Sequence, residues 1–320
     1  MSITPSAAAL QEAEDIADGD APGLRRTPRR RKPGSNMAKQ YPMWFYLPAG
    51  ILFIVLFIVP TIASFYFSLT RWSLFDIQFI GFANYVQFFK EPALVQGFTN
   101  TFIFGFVTSA LKVVLGLLIA LVLTGRIIGR TFLRAVIFFP VLVSTIGVGI
   151  TFKVLMDPFD GLINNALAVI GIQGPAWLTD PALAIYSVAL VDVWRGVGLA
   201  TLIFIAGIVA IPQEYFEAAK VDGASAWNSF WNITLPLLRP ATVTVIILSL
   251  IGGLRSFDLI WAMTKGGPGF SSDVISSVIF KQYQAGFFGL SAAGNVILFL
   301  VVTAVIVPIF WALNRKQVEQ

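Results

Sequence analysis

The sequence predicts an all-α protein that is integral to a membrane. Of its 320 residues, 57% are apolar and only 12% are charged, whereas a soluble domain is about half apolar and about a quarter charged. The apolar residues are gathered into runs of about 20 residues or more, the length that an α-helix needs to cross roughly 30 Å of hydrocarbon. The mean hydropathy of +0.80 agrees with this distribution. Together these observations predict six transmembrane helices.

Each predicted span is an apolar run bounded by polar residues or by proline. The first run follows a polar segment, and the later runs are separated by connections that carry charges, glycine and proline. The six predicted spans cover residues 44–69, 98–123, 135–156, 186–211, 237–259 and 288–313.

The absence of two residue types excludes several chemistries. The chain contains no Cys and no His. This composition excludes catalysis by a Ser-His-Asp or Cys-His arrangement. It also excludes zinc binding by His or Cys and the formation of disulfides. The calculated pI of about 9.5 does not indicate nucleic-acid binding, because the basic residues are sorted by membrane side.

Orientation follows from the Lys and Arg residues, which favour the cytoplasmic side of a membrane. With the N-terminus inside, 14 basic residues lie on the inner side and four on the outer side; without the N-terminal tail the ratio is still seven to four. The sequence therefore predicts that both termini are cytoplasmic. The outer four are Arg71, Lys90, Lys265 and Lys281.

Two polar tails flank the predicted membrane domain of residues 44–314. Residues 1–43 are acidic as far as Asp20 and basic over 25–32, with few large apolar side chains. This composition predicts a disordered cytoplasmic tail. Its basic cluster is typical of a topogenic signal beside a first span, and binding to nucleic acid or anionic lipid is the alternative. Residues 315–320 are predicted to form a second cytoplasmic tail.

The connection at residues 212–236 predicts a short helix that stops at a glycine. Pro212 is suited to a helix start, because its missing N–H costs little there. Residues 213–221 form helices well or tolerably, and Gly223 can adopt the left-handed conformation that terminates a helix. The expected helix is about 15 Å long.

A second short helix should follow the glycine. Ser225 is a plausible N-cap for a helix through residues 227–232, and Pro236 should break this helix just before the fifth span. The connection is therefore predicted to form a helix-turn-helix elbow. Its mixed face, with Tyr215, Phe216, Ala219, Glu217 and Lys220, suits either a groove on a partner protein or the lipid interface.

The same connection resembles the cytoplasmic EAA loop of binding-protein-dependent ABC importer permeases. The resemblance covers every specified position of that loop: Glu217, Ala218, Ala219, Gly223, Ile233, Leu235 and Pro236. Two further stretches, at 257–268 and 81–85, resemble the carbohydrate-importer branch. The similarity extends from about residue 44 to 314, and the Gly-Gly-Pro at 266–268 is typical of the first of two non-identical permeases. The short connection at 157–185 favours six-span permeases for glycerol-phosphate, disaccharides and related glycosides.

The resemblance implies a type I importer permease that is not itself an enzyme. No stretch fits the phosphate-binding pattern GxxxxGK[ST], so ATP with Mg²⁺ is expected on two separate ATPase subunits and no cofactor in this chain. A second, non-identical permease and an external sugar-binding protein complete the implied assembly, in a bacterial or archaeal cytoplasmic membrane. Closure of the ATPase pair would push the elbow and tilt spans three to five.

Roles for the loop residues are implied in the same way. Glu217 would make a polar contact to an ATPase groove, with Tyr215 and Phe216 beside it. Ala218 and Ala219 would allow close approach, and Gly223 would hold the turn.

Charged residues inside the spans give candidates for the substrate pathway, because such charges are costly unless they face protein or a watery cavity. Asp192 and Arg195 are three residues apart, as are Arg255 and Asp258, so each pair can meet on its own helix face. Both pairs are expected at a similar depth in the outer part of the membrane. They are predicted either to line a sugar cavity or to form ion pairs that join spans four and five.

Neighbouring residues complete this candidate set. Trp194, Phe257 and Trp261 offer flat faces to a sugar ring. Gly253 and Ser256 stand where maltose-type permeases carry sugar-contacting Asn residues, which argues against maltose itself. Lys112 is expected to face a partner or a polar gap.

The sequence leaves two alternative classes of protein to consider, and it does not decide what covers one amphipathic surface. An ion-coupled secondary carrier would show paired repeats, broken helices and a midplane acid. An intramembrane enzyme using Asp192 and Asp258 has no supporting motif. Residues 162–170 are amphipathic and could lie under a binding protein or under lipid.

Overall fold

The computed structural model describes residues 43–73, 75–125 and 127–314. The predicted tails, residues 1–43 apart from Met43 and residues 315–320, lie outside the described residues. The chain divides into two units, Met1–Phe57 and Ile58–Gln320, which are taken in turn.

The described part of the first unit is helical and strongly apolar. A 3₁₀ turn at Met43–Tyr46 leads into helix α1, Leu47–Phe53, and a π-helical turn begins at Ile54. Its large apolar side chains are mostly exposed, including Trp44 at 64% and Leu56 at 71%. An exposed apolar surface of this kind is typical of a helix that faces lipid.

The second unit begins with a helix, a small hairpin and the longest helix among the described residues. In this hairpin, Thr70 pairs with Phe79 in antiparallel register. The elements in chain order are α2 Val59–Ser68, β1 Thr70–Trp72, β2 Ile77–Phe79, α3 Ala83–Lys90, α4 Pro92–Thr124, α5 Arg130–Leu142, α6 Thr145–Leu155, α7 Leu162–Val169 and α8 Ala184–Val209.

Shorter helices dominate the rest of the second unit. They are α9 Gln213–Val221, α10 Ala226–Ser229, a π-helical turn Phe230–Thr234, α11 Leu235–Leu237, α12 Arg239–Leu254, α13 Asp258–Met263, α14 Ile275–Gln284 and α15 Phe288–Asn314.

The span prediction is confirmed for four of the six segments. Four continuous runs are long and apolar enough to cross a membrane: Trp44–Ser68, Pro92–Thr124, Ala184–Val209 and Phe288–Asn314. These are the first, second, fourth and sixth predicted spans. Two bent helix pairs bring the number of candidate spans in the described residues to six if each pair counts as one span.

The third span was predicted as one continuous helix, and this prediction is wrong. Helices α5 and α6 meet at an angle of 97°. Val143 and Ser144 between them have extended backbone, with ψ angles of 142° and 128°. Pro140 weakens the last turn of α5, because it has no N–H to donate. On the far side of the bend, Gly149 of α6 packs against Ala262 of α13, where an added Cβ would lie 2.6 Å from the Ala262 Cβ.

The fifth span was predicted to run to residue 259 and to start after a break at Pro236, and both limits need correction. The chain stays helical through α11, and the 64° bend falls before α12, at Leu238. Helix α12 ends at Leu254, because Gly252 and Gly253 destabilise its last turn. Three residues then separate α12 from α13.

Small residues bring the long helices of the second unit into close contact. An added Cβ on Gly105 of α4 would lie 2.7 Å from the Leu254 side chain of α12, and one on Gly253 would lie 2.8 Å from the Gly105 Cα. On the other side of α4, a Cβ on Gly116 would lie 2.8 Å from the Ala200 Cβ of α8. Because lipid tails are as apolar as leucine, van der Waals contact of this kind is what holds helices together in a membrane.

Two arginines bind the ends of neighbouring helices. Arg134 donates a 2.8 Å hydrogen bond to the Leu123 carbonyl near the end of α4. Arg239 does the same to the Leu313 carbonyl near the end of α15. A cation at a helix C-terminus satisfies a free carbonyl and interacts favourably with the helix dipole. These contacts place the starts of α5 and α12 beside the ends of α4 and α15.

The loop after α13, which contains the Gly-Gly-Pro sequence, is tied to α4 through buried polar groups. Asn100 donates to the carbonyls of Ser271 and Asp273 at 2.8 and 2.9 Å. The Asp273 carboxylate is fully buried and accepts from Lys281 at 2.6 Å and Ser277 at 2.7 Å. Burial raises the pKa of the Asp273 carboxyl, and the bonds from Lys281 and Ser277 oppose that shift.

The segment between α6 and α8 is ordered by its own polar side chains. Backbone N–H groups of Asp160 and Phe159 donate to the Asp157 carboxylate and lower its pKa. Asn164 of α7 accepts a 2.7 Å bond from the indole of Trp177. The amphipathic helix predicted at 162–170 is confirmed as α7, which exposes Leu162 and Val169.

Candidate functional site

A polar cavity of about 470 Å³ lies among α4, α8, α12 and the two interrupted segments. Its wall combines apolar side chains with five charged residues and three hydroxyl groups. The lining residues are Lys112, Val141, Thr145, Asp192, Arg195, Gly196, Leu199, Ala200, Ile203, Val245, Leu248, Ser249, Gly252, Arg255, Ser256, Phe257, Asp258 and Leu259.

Both interruptions of helical structure border this cavity. Val141 and Thr145 line it from either side of the bend between α5 and α6, and Arg255, Ser256 and Phe257 line it from the gap between α12 and α13. Non-helical backbone is tolerated at membrane depth only where protein or a water-filled cavity surrounds it. The two breaks therefore place polar backbone where water or a solute can reach it.

Asp192 does not pair with Arg195, so that predicted pairing is wrong. The Asp192 carboxylate accepts a hydrogen bond of 2.5 Å from the Lys112 ammonium, and the two side chains are 14% and 10% exposed. Since Lys112 lies on α4 and Asp192 on α8, the ion pair joins the second and fourth predicted spans and not the fourth and fifth. Lys112 was expected to face either a partner or a polar gap, and it faces the polar cavity.

The second predicted pairing does not form either, because the helix ends between its members. Arg255 is the C-cap residue that follows α12, whereas Asp258 is the first residue of α13, so the two do not share one helix face. Within the described residues, neither side chain has a hydrogen bond or ion pair, and both are exposed. Arg195 is likewise unpaired there, and its buried Nε atom has no partner.

Three predicted site residues do not line the cavity. Gly253 is buried against α4. Trp194 is 46% exposed and packs on Phe152, with ring centroids 5.1 Å apart. Trp261 stacks on Phe257, with centroids 5.7 Å apart and planes 19° apart. Of the three flat faces, only that of Phe257 belongs to the cavity wall.

Residues missed in the sequence analysis include Ser249 and Gly252 of α12. The cavity face of this helix runs Val245, Leu248, Ser249 and Gly252, which is the i, i+3, i+4, i+7 spacing of one helix face. Extending that spacing back from Arg255 and Ser256 would have found them. Asp192 and Arg195 begin a similar series on α8.

The elbow has the predicted helix, stop and second helix start. Helix α9 ends in a Schellman motif: the Gly223 N–H donates to the Lys220 carbonyl at 3.1 Å, and the Ala224 N–H donates to the Ala219 carbonyl at 2.8 Å. Gly223 has a φ angle of +75°. The Ser225 hydroxyl accepts from the Asn228 N–H at 3.3 Å and so caps α10.

The surface that the elbow presents differs in part from the prediction. Tyr215 is 53% exposed, and Glu217 and Ala218 are also exposed. Ala219 is buried and Phe216 is half-buried, so Ala219 does not belong to the displayed face, because its side of α9 turns toward the protein. An aromatic cluster of Trp227, Phe230 and Trp231 follows α9 along the chain.

These features define a class: a membrane-spanning permease with a polar cavity between its helices and an exposed helical elbow. Residues 112–317 match the family model described as "Binding-protein-dependent transport system inner membrane component". The chain belongs to this family and is an ABC transporter permease of the inner membrane. The matched region contains the elbow and, from Lys112 onward, every residue that lines the cavity.

Several relatives and solved structures are similar over most of the chain. The trehalose/maltose transport system permease protein MalF of Thermococcus litoralis is 36% identical, covering 80% of this chain and 88% of its own length. The diacetylchitobiose uptake system permease protein NgcF of Streptomyces coelicolor is 32% identical, covering 90% and 86%. The probable ABC transporter permease protein YurN of Bacillus subtilis is 33% identical, covering 77% and 86%.

The fold is that of a known importer. A chain of the bacterial alginate ABC transporter, solved in complex with an alginate pentasaccharide-bound periplasmic protein, superposes with a TM-score of 0.76 at 22% identity and covers 88% of this chain and 98% of its own. A second structure of an alginate importer gives a TM-score of 0.75, also at 22% identity, with 85% and 94% covered. The predicted fold class is therefore confirmed.

Proposed function

We propose that this permease carries a sugar or glycoside inward through the polar cavity. The observation that carries the proposal is a set of hydrogen-bonding groups around that cavity that are unpaired within the described residues: Arg195, Arg255 and Asp258, with the Ser256 hydroxyl beside them. Guanidinium groups donate, carboxylates accept and hydroxyls do both, which suits the dense hydroxyl pattern of a sugar. The volume of about 470 Å³ lies within the usual range for small-molecule sites.

The relatives support this substrate class. Their names assign trehalose or maltose to one of them and diacetylchitobiose to another. Phe257 supplies a flat apolar face of the kind on which sugar rings stack, at the same wall as Arg255.

The driving force, in this proposal, comes from ATP with Mg²⁺ on two separate ATPase subunits that grip the elbow. Glu217 makes the polar contact, Tyr215 and Ala218 the apolar one, and Gly223 sets the angle of α9. A second, non-identical permease forms the other half of the pathway, and an extracytoplasmic sugar-binding protein delivers the substrate. The elbow and both termini then lie in the cytoplasm, as the basic residues predict.

An ion-coupled carrier is the alternative class. The broken segment of α5 and α6 resembles a feature of such carriers, so broken helices do not separate the two classes. The exposed elbow, which an ion-coupled carrier does not require, favours the importer.

Transport by the reconstituted assembly tests the proposal. The permease, with its ATPases, second permease and binding protein, is placed in proteoliposomes and offered radiolabelled maltose, trehalose, lactose and arabino-oligosaccharides. We expect uptake of at least one sugar, and we expect this uptake to require ATP on the side of the membrane where the elbow lies. Arg255→Gln should lower that uptake about tenfold or more, because a hydrogen bond to a charged group contributes about 1.5–3 kcal/mol.

The matched control is Arg71→Gln, which removes an exposed arginine from the β-hairpin, away from the cavity. It should leave uptake unchanged. Uptake that follows an ion gradient and persists without the ATPases would overturn the proposal.

A further inference from the structure

The Lys112 side chain packs against the backbone of Gly196 on α8. An added Cβ on Gly196 of α8 would lie 2.7 Å from the Lys112 Cε and 3.0 Å from its Nζ. The lysine thus passes across the α8 backbone, one residue from Arg195, to reach Asp192. Its side chain is 10% exposed and its partner's 14%, so this ion pair is formed largely away from water.

Without Lys112, Asp192 would have another cation in reach. Residues three apart on a helix are neighbours on its surface, and Arg195 is three residues after Asp192. A carboxylate in so enclosed a position needs a partner, because leaving it unpaired carries the full cost of its desolvation. Arg195 is the cation of the same helix that could supply one.

Arg195 instead keeps its donors unused. Within the described residues it has no ion pair or hydrogen bond, and its buried Nε is unpartnered. The residue nevertheless lines the cavity. Within the described residues, the N–H groups of Arg195 are free although a carboxylate lies three residues away, and that carboxylate is paired with Lys112 instead.

We propose that Lys112 is a positioning residue: by holding Asp192, it keeps the Arg195 guanidinium free to bind the solute in the cavity. Loss of Lys112 would let Asp192 capture Arg195 and withdraw that guanidinium from the pathway. This inference rests on the proposed transport function. It assigns to Lys112 a role that acts through two other residues and not through contact with the solute.

A mutant cycle in the reconstituted importer tests the inference, with the sugar that the native assembly takes up fastest among those named above. Uptake is normalised to the amount of assembled complex, and the thermal midpoint of unfolding is measured for each variant. We expect Lys112→Met and Arg195→Gln each to lower uptake about tenfold. The variant with both changes should be no worse than Arg195→Gln alone, because the two act on the same group.

One further variant separates positioning from a merely structural tie, and a second tests the need for a cation at residue 112. Lys112→Met combined with Asp192→Asn removes the ion pair but also the carboxylate that would capture Arg195, so uptake should return to within about threefold of the native rate. Lys112→Arg keeps the charge and should retain most of the uptake. Recovery of the variant that combines Lys112→Met with Asp192→Asn is not expected if Lys112 only fastens α4 to α8, whereas Lys112→Arg should retain uptake in either case.

Each outcome decides one question. Additive losses for Lys112→Met and Arg195→Gln, or a combined Lys112→Met and Asp192→Asn variant as defective as Lys112→Met alone, would overturn the positioning role while leaving the transport function intact. Uptake by the native assembly that follows an ion gradient and persists without the ATPases would instead contradict the proposed function.

Discussion

Gly223→Val is expected to lower ATP-driven uptake by about fivefold to thirtyfold without displacing any neighbouring atom. Gly223 has a φ angle of +75°, and no heavy atom lies within 4 Å of the position of an added Cβ. The penalty is therefore conformational: a side chain in the left-handed region costs about 1–2 kcal/mol, and a β-branched one fits worst. The Schellman motif should open and α9 should tilt against its partner. Uptake and ATP hydrolysis, measured on the same vesicles, report the lost coupling as a lower ratio of sugar to ATP.

Gly223→Asn is the matched control for this prediction. Asparagine tolerates the left-handed conformation, and the space around residue 223 is open, so uptake should stay near the native rate. Equal losses for the two variants would show that bulk, and not backbone conformation, matters at this position. A native rate for Gly223→Val would show that the angle of α9 does not control coupling.

Gly253→Ala is expected to destabilise the whole helix bundle, although a single methyl group is added. Its Cβ would lie 2.8 Å from the Gly105 Cα and 2.9 Å from the Thr108 hydroxyl. Backbone cannot yield as a flexible side chain can, so α4 and α12 must separate. Overpacking of this kind costs about 1–3 kcal/mol, which should lower the thermal midpoint of unfolding by about 2–12 °C. A fluorescence or light-scattering melt in detergent measures the shift.

The adjacent glycine provides the control. Gly252 lies on the same helix, one residue away, and no heavy atom is within 4 Å of its added Cβ. Gly252→Ala should therefore leave the melting midpoint unchanged or slightly higher, because alanine favours the helix by about 0.5–1 kcal/mol over glycine. Similar melting losses for both variants would contradict the close contact between α4 and α12.

The sequence was sufficient for the features that depend on average composition or on local turn chemistry. Hydropathy over about 20 residues located four continuous spans to within a few residues at most ends. The stop at Gly223 and the cap at Ser225 were predictable, because each depends on residues within one helical turn of it. Orientation stays a prediction from the distribution of Lys and Arg.

Features that depend on distant parts of the chain could not be predicted in the same way. An apolar window does not show that the third span bends at Val143, since the bend depends on how α6 packs on α13. The spacing of Asp192 and Arg195 suggested a local ion pair. The partner of Asp192 is instead Lys112, which is 80 residues away in sequence. Gly253 was assigned to the pathway by alignment, whereas its surroundings come from α4.

The central claim is that a neighbouring ATPase grips the elbow from the cytoplasm, and a single cysteine tests it directly. Because the chain has no Cys, Glu217→Cys is the only thiol of this subunit. In membrane vesicles of known sidedness, we predict that a membrane-impermeant maleimide labels Cys at 217 only from the cytoplasmic face. Assembly with the ATPase should protect it, and a short bifunctional thiol reagent should cross-link it to a cysteine in the ATPase groove. Labelling from the external face, or full labelling that the ATPase does not reduce, would contradict the account.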